Sequence, residues 1–273
     1  MDFKRMLVRL PQSTHDYAAV GIAAQFAGLL GASVEATFVQ DAELVDVAAL
    51  PCVRELRPLG GGWHPLEGPQ LVRQLDRAAA TARRLFHDAV RAIRIEASFN
   101  VARGPVEDMT GSAASADDII VIIEPRNPAE RVTQQFSRLV DAAFGASVSI
   151  MVVPSRIART AGPIAAVISG PDDPSIRTAL AIAAAARERV IALGPSGSIA
   201  RESMVGLADA AGVRVEAGPD VQEPFDASTL LTQLGRLNER LLVMSRGAVG
   251  DRRVPTLASL RGIPILLARA TDR

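Results

Sequence analysis

Residues 117–123, DDIIVII, contain a continuous apolar run, which is typical of a strand buried on both faces of a parallel sheet. Residues 240–244, RLLVM, repeat this pattern later in the chain. Each run is followed by a second apolar segment, Ser149–Val153 after the first and Pro264–Ala268 after the other. Two matching pairs at the same relative positions predict a duplicated α/β unit.

The first copy is predicted to hold five strands with helices between them, complete by Pro154. Strand, helix and strand at this spacing imply right-handed parallel crossovers. Residues 41–68 interrupt the alternation of strands and helices with three prolines and the run Gly60-Gly61-Gly62. They are therefore expected to form a surface excursion with a short helix at 42–50. The strands are expected at Met6–Leu10, Ser33–Val39, 95–102, Ile119–Ile123 and Val148–Val153, and the helices at 14–30, 69–93, from Pro105 to about 115, and 129–145.

A polar linker, residues 155–162, precedes the second copy. This copy lacks the 41–68 excursion and part of its last helix. We therefore predict two domains, 1–154 and 163–273, each about the size of a small α/β domain. In the second domain the strands are expected at 164–168, 189–193, 213–217, 240–244 and 263–268, and the helices at 175–187, 198–211 and 227–237.

Composition excludes several classes of protein. Thirty basic and thirty acidic residues cancel, so no net field draws the chain towards nucleic acid or an anionic membrane. With Phe 8, Trp 1 and Tyr 1, few rings are available to stack on bases. Cys52 is the only cysteine, which excludes an internal disulfide and a zinc site with two thiolates.

The start of the chain, MDFKRMLVRL, leads directly into a strand pattern and lacks the apolar core and cleavage site of a signal peptide. The alanine-rich runs elsewhere are shorter than a membrane span or carry charges. The expectation is a cytoplasmic protein that does not enter a membrane.

Several segments together resemble the universal stress proteins. The segment MLVRLPQS with AAQFAGLLGASVEATFV resembles the opening of that family, as do Gly104-Pro105-Val106-Glu107 and the strand DDIIVII. The resemblance covers both halves. It implies an α/β fold of two Rossmann-like (adenine nucleotide alpha hydrolase-like) domains, each a five-stranded parallel sheet in the order 3-2-1-4-5. It also implies that the halves pack as a pseudo-dimer. Family members commonly dimerise through the fifth strand, so pairing between the two halves, or between two chains as a homodimer, is expected at Val148–Val153 and Pro264–Ala268.

The resemblance further implies where ATP would bind. Many members use an aspartate at the end of strand 1 and a loop after strand 4 with glycine, two residues, glycine, nine residues, then glycine and serine or threonine. Such glycines expose backbone N–H groups to phosphates.

The first half departs from that motif. Pro11 occupies the aspartate position, and a match without gaps places Arg126, Ala129 and Phe136 on the three glycines, with only Ser137 in agreement. This predicts loss of ATP binding in the first half. Arg126 and Arg131 could still hold an anion, although solvated arginines at a helix start are the interpretation we favour.

The second half keeps more of the motif. Residues 245–250, SRGAVG, retain the first two glycines, whereas Leu260 and Arg261 stand at the third, with Ala258-Ser259 as a displaced remnant. Asp172 lies near the aspartate position, and the alternative there is a turn with Asp173 or Ser175 as helix cap. The predicted nucleotide contacts, with ATP or another adenine nucleotide as the ligand, are Gly170, Asp172, Ser245, Gly247, Gly250 and Ser259.

No catalytic or metal-binding residue is predicted. SGPDDPS at 169–175 matches the phosphate loop of ATP pyrophosphatases poorly, and the three histidines, His15, His64 and His87, lie near no nucleophile motif. The leading hypothesis is a non-enzymatic stress-response regulatory or protective protein with an unidentified protein partner. The alternatives are a nucleotide-free interaction scaffold and, from another class, an ATP-hydrolysing or nucleotide-transferring enzyme.

Overall fold

The apolar runs of the first half form the strands of a parallel sheet. The computed structural model describes residues 3–10, 17–40, 42–50, 52–57, 61–104, 114–170, 172–195, 201–221, 225, 227–235 and 237–269. The first-half strands are β1 (Arg5–Leu10), β2 (Ser33–Gln40), β3 (Arg54–Arg57), β4 (Gly62–Pro65), β5 (Ala97–Arg103), β6 (Asp118–Ile123) and β7 (Ser149–Val153). The helices are α1 (Tyr17–Leu30), α2 (Ala42–Ala48), α3 (Gly68–Arg91), α4 (Pro128–Arg131) and α5 (Gln134–Gly145). The parallel strands lie in the order β5-β2-β1-β6-β7.

The second half repeats this arrangement. Its strands are β8 (Ile164–Val167), β9 (Val190–Gly194), β10 (Val215–Asp220), β11 (Leu241–Ser245) and β12 (Ile265–Ala268). Its helices are α6 (Pro174–Ala186), α7 (Arg201–Ala211), α8 (Ala227–Leu234) and α9 (Val254–Arg261), the last preceded by a 3-10 turn at Asp251–Arg253. The strand order is β10-β9-β8-β11-β12, so each half follows 3-2-1-4-5 when its own strands are counted along the chain. The predicted α/β class with two Rossmann-like units is confirmed.

The fifth strands of the two halves join the sheets. Strands β7 and β12 pair antiparallel, with Ile150 opposite Leu267 and Val152 opposite Ile265. The result is one continuous sheet of ten strands. We call this β7–β12 pairing the seam. It hydrogen-bonds two strand edges that would otherwise be open.

The core follows from the alternation of side chains along the central strands. Every residue of β6, β7 and β12 is buried. One apolar cluster, which includes Val121 and Leu266, packs under α1 and α6, and a second, which includes Ile122 and Leu267, packs on the other face. Both clusters contain residues of both halves, so the halves share their core.

The excursion at 41–68 contains a hairpin that the sequence did not predict. After α2, strands β3 and β4 pair antiparallel with Leu56 opposite Trp63. Leu56 is 59% exposed and Trp63 is 64% exposed. The hairpin is therefore a projecting element whose apolar side chains lie outside the main core.

Other elements differ from the sequence prediction in detail. The helix expected at 129–145 is divided into α4 and α5, because Asn127 and Thr133 each cap the start of a helix. The second half has the short helix α9 where only part of a helix was expected. The predicted features at Pro11–Ser13, Pro105–Glu107 and 196–200 lie outside the described residues.

The paired aspartates before β6 have different roles. Asp117 forms an exposed ion pair with Lys4 at 2.8 Å. Asp118 is fully buried and accepts hydrogen bonds from Arg5 at 2.7 Å and from the Ser115 amide at 2.7 Å. Burial alone would raise the pKa of Asp118, but the hydrogen bonds from Arg5 and Ser115 hold that pKa below its usual value.

Asp118 should make the stability of the protein depend on pH. A carboxyl with a lowered pKa stabilises the folded state above its unfolded pKa of about 3.9, and this contribution is lost as the pH falls through the folded value. We expect Asp118→Asn to lower the free energy of unfolding by about 2 kcal/mol at pH 7. Urea denaturation of both proteins from pH 7 to pH 3 should show this difference shrinking on acidification. A difference independent of pH would contradict this assignment.

The burial of the core shared by the two halves can be tested by mutation. Leu266 is completely buried in β12, whereas Leu260 on α9 is 67% exposed. Leu266→Asp places an unpaired charge in the core and should lower the free energy of unfolding by more than about 3 kcal/mol. The matched change Leu260→Asp should stay within about 0.5 kcal/mol of the wild type. Comparable losses in both variants, measured by thermal or urea denaturation, would show that the seam is not buried as described.

Candidate functional site

The candidate site lies where β8 and β11 of the second half end. The carboxyl ends of neighbouring parallel strands meet at one edge of the sheet, and β8 and β11 are neighbours. In open α/β sheets ligands bind outside these strand ends. Residues 168–170 and 172–173 after β8, and residues 245–250 after β11, therefore form the walls of the site.

A buried carboxylate connects the two loops. Asp173 is the N-cap of α6 and is only 8% exposed. Its carboxylate accepts hydrogen bonds from the Ser169 amide at 2.8 Å, the Ser175 amide at 2.9 Å and the Ser175 hydroxyl at 2.6 Å. It also accepts one from the Ser245 hydroxyl, on the far loop, at 2.5 Å. One side chain thus uses four donors, a set that would also suit a small anion.

The structure brings only some of the predicted residues to this junction. Ser245 is in direct contact with Asp173, and the Gly170 carbonyl accepts a hydrogen bond from the Asp173 amide at 3.2 Å. The Asp172 side chain is instead 71% exposed and lies 3.8 Å from Arg177. The helix cap that the sequence offered as an alternative therefore describes Asp173.

The two loop glycines adopt backbone conformations that favour glycine. Gly247 has φ +82° and Gly250 has φ +29°, a region that side chains disfavour. A Cβ added at either position would meet no atom within 4 Å among the described residues. The loop thus keeps open space beside both glycines.

Ser259 does not lie in the loop. It is the sixth residue of α9, beyond the first turn. Backbone N–H groups beyond the first turn of a helix are used in helical hydrogen bonds, so they are not free to bind a phosphate. The adjacent Ala258 is fully buried.

Arg246, between Ser245 and Gly247, links this loop to the first half. Its guanidinium donates to three carbonyl oxygens at and beyond the end of α5: Phe144 at 2.5 Å, Val148 at 3.0 Å, and Ala146. A cation at the C-terminus of a helix also interacts favourably with the helix dipole. The second-half loop is therefore anchored on the first half.

In the corresponding loop of the first half, the charge of an arginine is balanced by a nearby glutamate. Arg131 lies 3.0 Å from the buried Glu124 and donates to the Pro125 carbonyl at 2.7 Å and to the Ser155 hydroxyl at 2.8 Å. With these partners, Arg131 is not a solvated arginine, and its charge is balanced by Glu124.

The register of the sheet shows which residues of the two loops occupy equivalent positions. Ile123 pairs with Val153 at the end of β6, and Ser245 pairs with Ala268 at the end of β11. Counted from these pairs, Gly247 and Gly250 correspond to Pro125 and Pro128, one residue before the Arg126 and Ala129 of the sequence match. Proline has no backbone N–H, so the first half lacks two of the donors that such a loop would use.

The chemistry available at the junction is limited. Ser245 and Ser175 both donate to the Asp173 carboxylate, and the described histidines lie elsewhere, His64 on β4 and His87 on α3. The described parts of the chain also contain no group of three or more His, Cys, Asp or Glu residues that could hold a metal ion. Within the same residues, no helix has the length and apolar character needed to cross a membrane.

Sequence reasoning named Asp173 only as a helix cap, and it predicted neither the bond from Ser245 to that carboxylate nor any role for Arg246. Asp173 carried a usable signal, since Asp-Pro-Ser is a typical helix start with the cap before a proline. Its bond to Ser245, however, joins residues 72 apart along the chain. The contact of Arg246 with α5 has no local signal in the sequence.

The anchoring role of Arg246 can be tested by mutation. Arg246→Gln removes a charged donor from carbonyls at the end of α5, and we expect the free energy of unfolding to fall by about 1.5–3 kcal/mol. The control is Arg252→Gln, since Arg252 is 86% exposed and pairs with Asp141 at 3.3 Å. That change should cost less than about 1 kcal/mol. Equal effects in urea denaturation would show that Arg246 is not an anchor.

Comparison with known proteins agrees with this geometry at the level of the fold. No protein-family model matches the sequence, and no curated protein is significantly similar to it. A universal stress protein from Archaeoglobus fulgidus superposes with a TM-score of 0.66 at 10% identity, covering 98% of this chain and 97% of that one. A functionally unknown protein from Pseudomonas aeruginosa PAO1 gives 0.51 at 15% identity, covering 97% and 92%. A protein assigned to the universal stress proteins from Pseudomonas aeruginosa UCBPP-PA14 gives 0.50 at 16% identity, covering 97% and 93%. The chain therefore has the fold of the universal stress proteins, in tandem along one polypeptide.

Proposed function

We propose that this chain is a non-enzymatic stress-response regulatory or protective protein of the universal stress type, acting in the cytoplasm. Adenine-nucleotide binding is weak or lost, and whatever remains is confined to the second half. The observation that supports this most directly is the buried Asp173 carboxylate bonded to the Ser245 hydroxyl.

In this proposal, the negative charge of the Asp173 carboxylate disfavours a bound phosphate. A phosphate bound between the two loops would approach a carboxylate that already uses the nearby serine donors. Two anions close together in a poorly solvated site repel each other strongly. The open space at Gly247 and Gly250 is the feature that favours a residual phosphate contact.

The first half contributes structure in this proposal. Pro125 and Pro128 remove donors from its loop, and Glu124 balances Arg131. We propose domains 1–154 and 163–273 joined by the linker 155–162, so that the chain is its own pseudo-dimer. Any homodimer must then use a surface other than the fifth strands, because those are paired in the seam.

A second candidate is a nucleotide-free interaction scaffold. The exposed Leu56 and Trp63 of the hairpin favour it, because exposed aromatic residues are enriched at protein interfaces. The enzyme alternative has no comparable support, since the Ser245–Asp173 pair has no histidine base among the described residues.

The test combines chromatography of nucleotides released from denatured protein with thermal-shift titrations of ATP, ADP and AMP. We expect no stoichiometric nucleotide in the purified protein, and at millimolar ATP a stabilisation of about 1 kcal/mol or less. Gly250→Val should abolish any shift that is seen, whereas Ala129→Val should leave it unchanged.

Three outcomes would overturn the proposal. Stoichiometric ATP released from the wild type would show that Asp173 does not exclude phosphate. A shift that is lost in Ala129→Val and kept in Gly250→Val would place the site in the first half. Steady production of ADP by protein free of contaminants would favour the enzyme.

A further inference from the structure

The ten-stranded sheet ends in two strands whose outer edges differ. Strands β5 and β10 lie at opposite ends of the sheet. Strand β10 contains Pro219, which has no backbone N–H, and its register with β9 shifts between Ala217 and Asp220. A proline and an irregular register both hinder an edge strand from pairing with another chain. The β10 edge is therefore protected.

The β5 edge has neither of these features. Its seven residues, ASFNVAR, contain no proline and pair with β2 in an unbroken register from Ala97 to Arg103. No described strand pairs with the outer side of β5, and its Val101 side chain is 42% exposed. A long and regular edge without such protection is a template for pairing with a further strand.

The hydrogen bonds to β2 show which backbone groups of β5 point outward. The Val34 amide donates to the Glu96 carbonyl at 2.9 Å, and the Gly104 amide donates to the Gln40 carbonyl at 3.2 Å. The backbone groups of Glu96 and Gly104 therefore point towards β2. Because this direction alternates from one residue to the next along a strand, the outward N–H and C=O groups belong to residues 97, 99, 101 and 103.

We propose that two copies of this chain form a homodimer in which their β5 edges pair antiparallel about a two-fold axis at Asn100. In this register residue 97 of one copy lies opposite residue 103 of the other, and residue 99 lies opposite residue 101. All the outward positions are then used, in about eight backbone hydrogen bonds across the interface. The two ten-stranded sheets become one continuous sheet. A two-fold contact closes on itself, so the assembly stops at two chains.

The apolar side chains of β5 are self-complementary in this register. Phe99 packs against Phe86 of α3, with the ring centres 5.9 Å apart. Val101 lies two residues further on, so its side chain is on the same face of the sheet. The pairing places Val101 of each copy opposite Phe99 of the other. Cross-strand pairs of an aromatic and a β-branched residue stabilise a sheet, and the exposed Val101 becomes buried.

The charges at the two ends of β5 also fit a second copy. Glu96 directly precedes the strand and Arg103 ends it, and both residues are exposed. Antiparallel pairing places the Glu96 end of each strand beside the Arg103 end of the other, so opposite charges meet at both ends of the interface. Parallel pairing in register would instead bring like charges together, which destabilises a strand pair.

This interface is independent of the proposed nucleotide site. Strand β5 lies in the first half, and none of its residues belongs to the loops around Asp173 and Gly250. Nucleotide binding neither requires nor excludes the dimer, so a failure of one proposal has no bearing on the other.

The first experiment is analytical ultracentrifugation of the full chain from about 1 to 200 µM. We expect the mass to rise with concentration from 28.8 kDa towards twice that value. Val101→Lys puts a lysine on the paired edge and should raise the dimer dissociation constant by about tenfold or more. The matched control is Val132→Lys, since Val132 lies between α4 and α5 and is 85% exposed. This control should leave the dissociation constant unchanged.

Disulfide cross-linking tests the register. Opposite residues that exchange no hydrogen bonds in antiparallel strands have Cα atoms about 4.5 Å apart, within the range of a disulfide. Asn100 lies opposite its own copy in the proposed dimer, so Asn100→Cys should cross-link two chains on oxidation. The background is Cys52→Ser, because Cys52 is exposed. The matched control Ser98→Cys changes another exposed residue on the same face of β5, which lies opposite Ala102, and should give no cross-link.

Each measurement has an outcome that contradicts the proposal. A mass that stays at 28.8 kDa at every concentration would show that β5 does not pair with a second copy and leaves its edge to a strand of another protein. A dimer that is equally stable in Val101→Lys would place the interface on another surface, such as the hairpin. Equal cross-linking of Asn100→Cys and Ser98→Cys would show that the register is wrong. The wild-type mass decides the first point even if a variant does not fold.

Discussion

The antiparallel pairing of β7 with β12 is the interaction on which the rest of the architecture depends. Without this pairing, each half would present its fifth strand as an open edge. Joining these edges places both halves on one sheet and merges their apolar clusters. It also brings the end of α5 beside the loop after β11, where Arg246 binds it.

The two equivalent loops, after β6 and after β11, differ in the charges and backbone donors that they present. In the first half, Glu124 and Arg131 form an ion pair around prolines that cannot donate. In the second half, the backbone remains open beside Gly247 and Gly250, but Asp173 supplies a negative charge from the neighbouring loop. The two copies therefore share a backbone arrangement but carry different side chains at the carboxyl ends of their strands.

The sequence predicted the repeated parts of the fold well, because buried strands such as DDIIVII have a strong local signal. It missed the β3–β4 hairpin, since the segment around Leu56 and Trp63 is short, interrupted by prolines and glycines, and does not bury an apolar face. It offered both Asp172 as a nucleotide contact and Asp173 as a helix cap, because one residue decides whether a carboxylate faces solvent or caps a helix. Ser259 was chosen as a displaced remnant of the motif, and the sequence did not show that α9 begins at Val254 and includes it. Contacts between the halves, such as that of Arg246, depend on the tertiary arrangement and leave no pattern in the chain.

The position of Trp63 has a practical consequence for spectroscopy. Trp63 is the single tryptophan of the chain, and it lies on the projecting hairpin, 64% exposed. Its indole is already largely hydrated in the native state, so intrinsic fluorescence responds weakly to melting of the sheet. The same emission is a selective reporter of the hairpin, and a blue shift on mixing with another molecule would locate contact at that element without any added label.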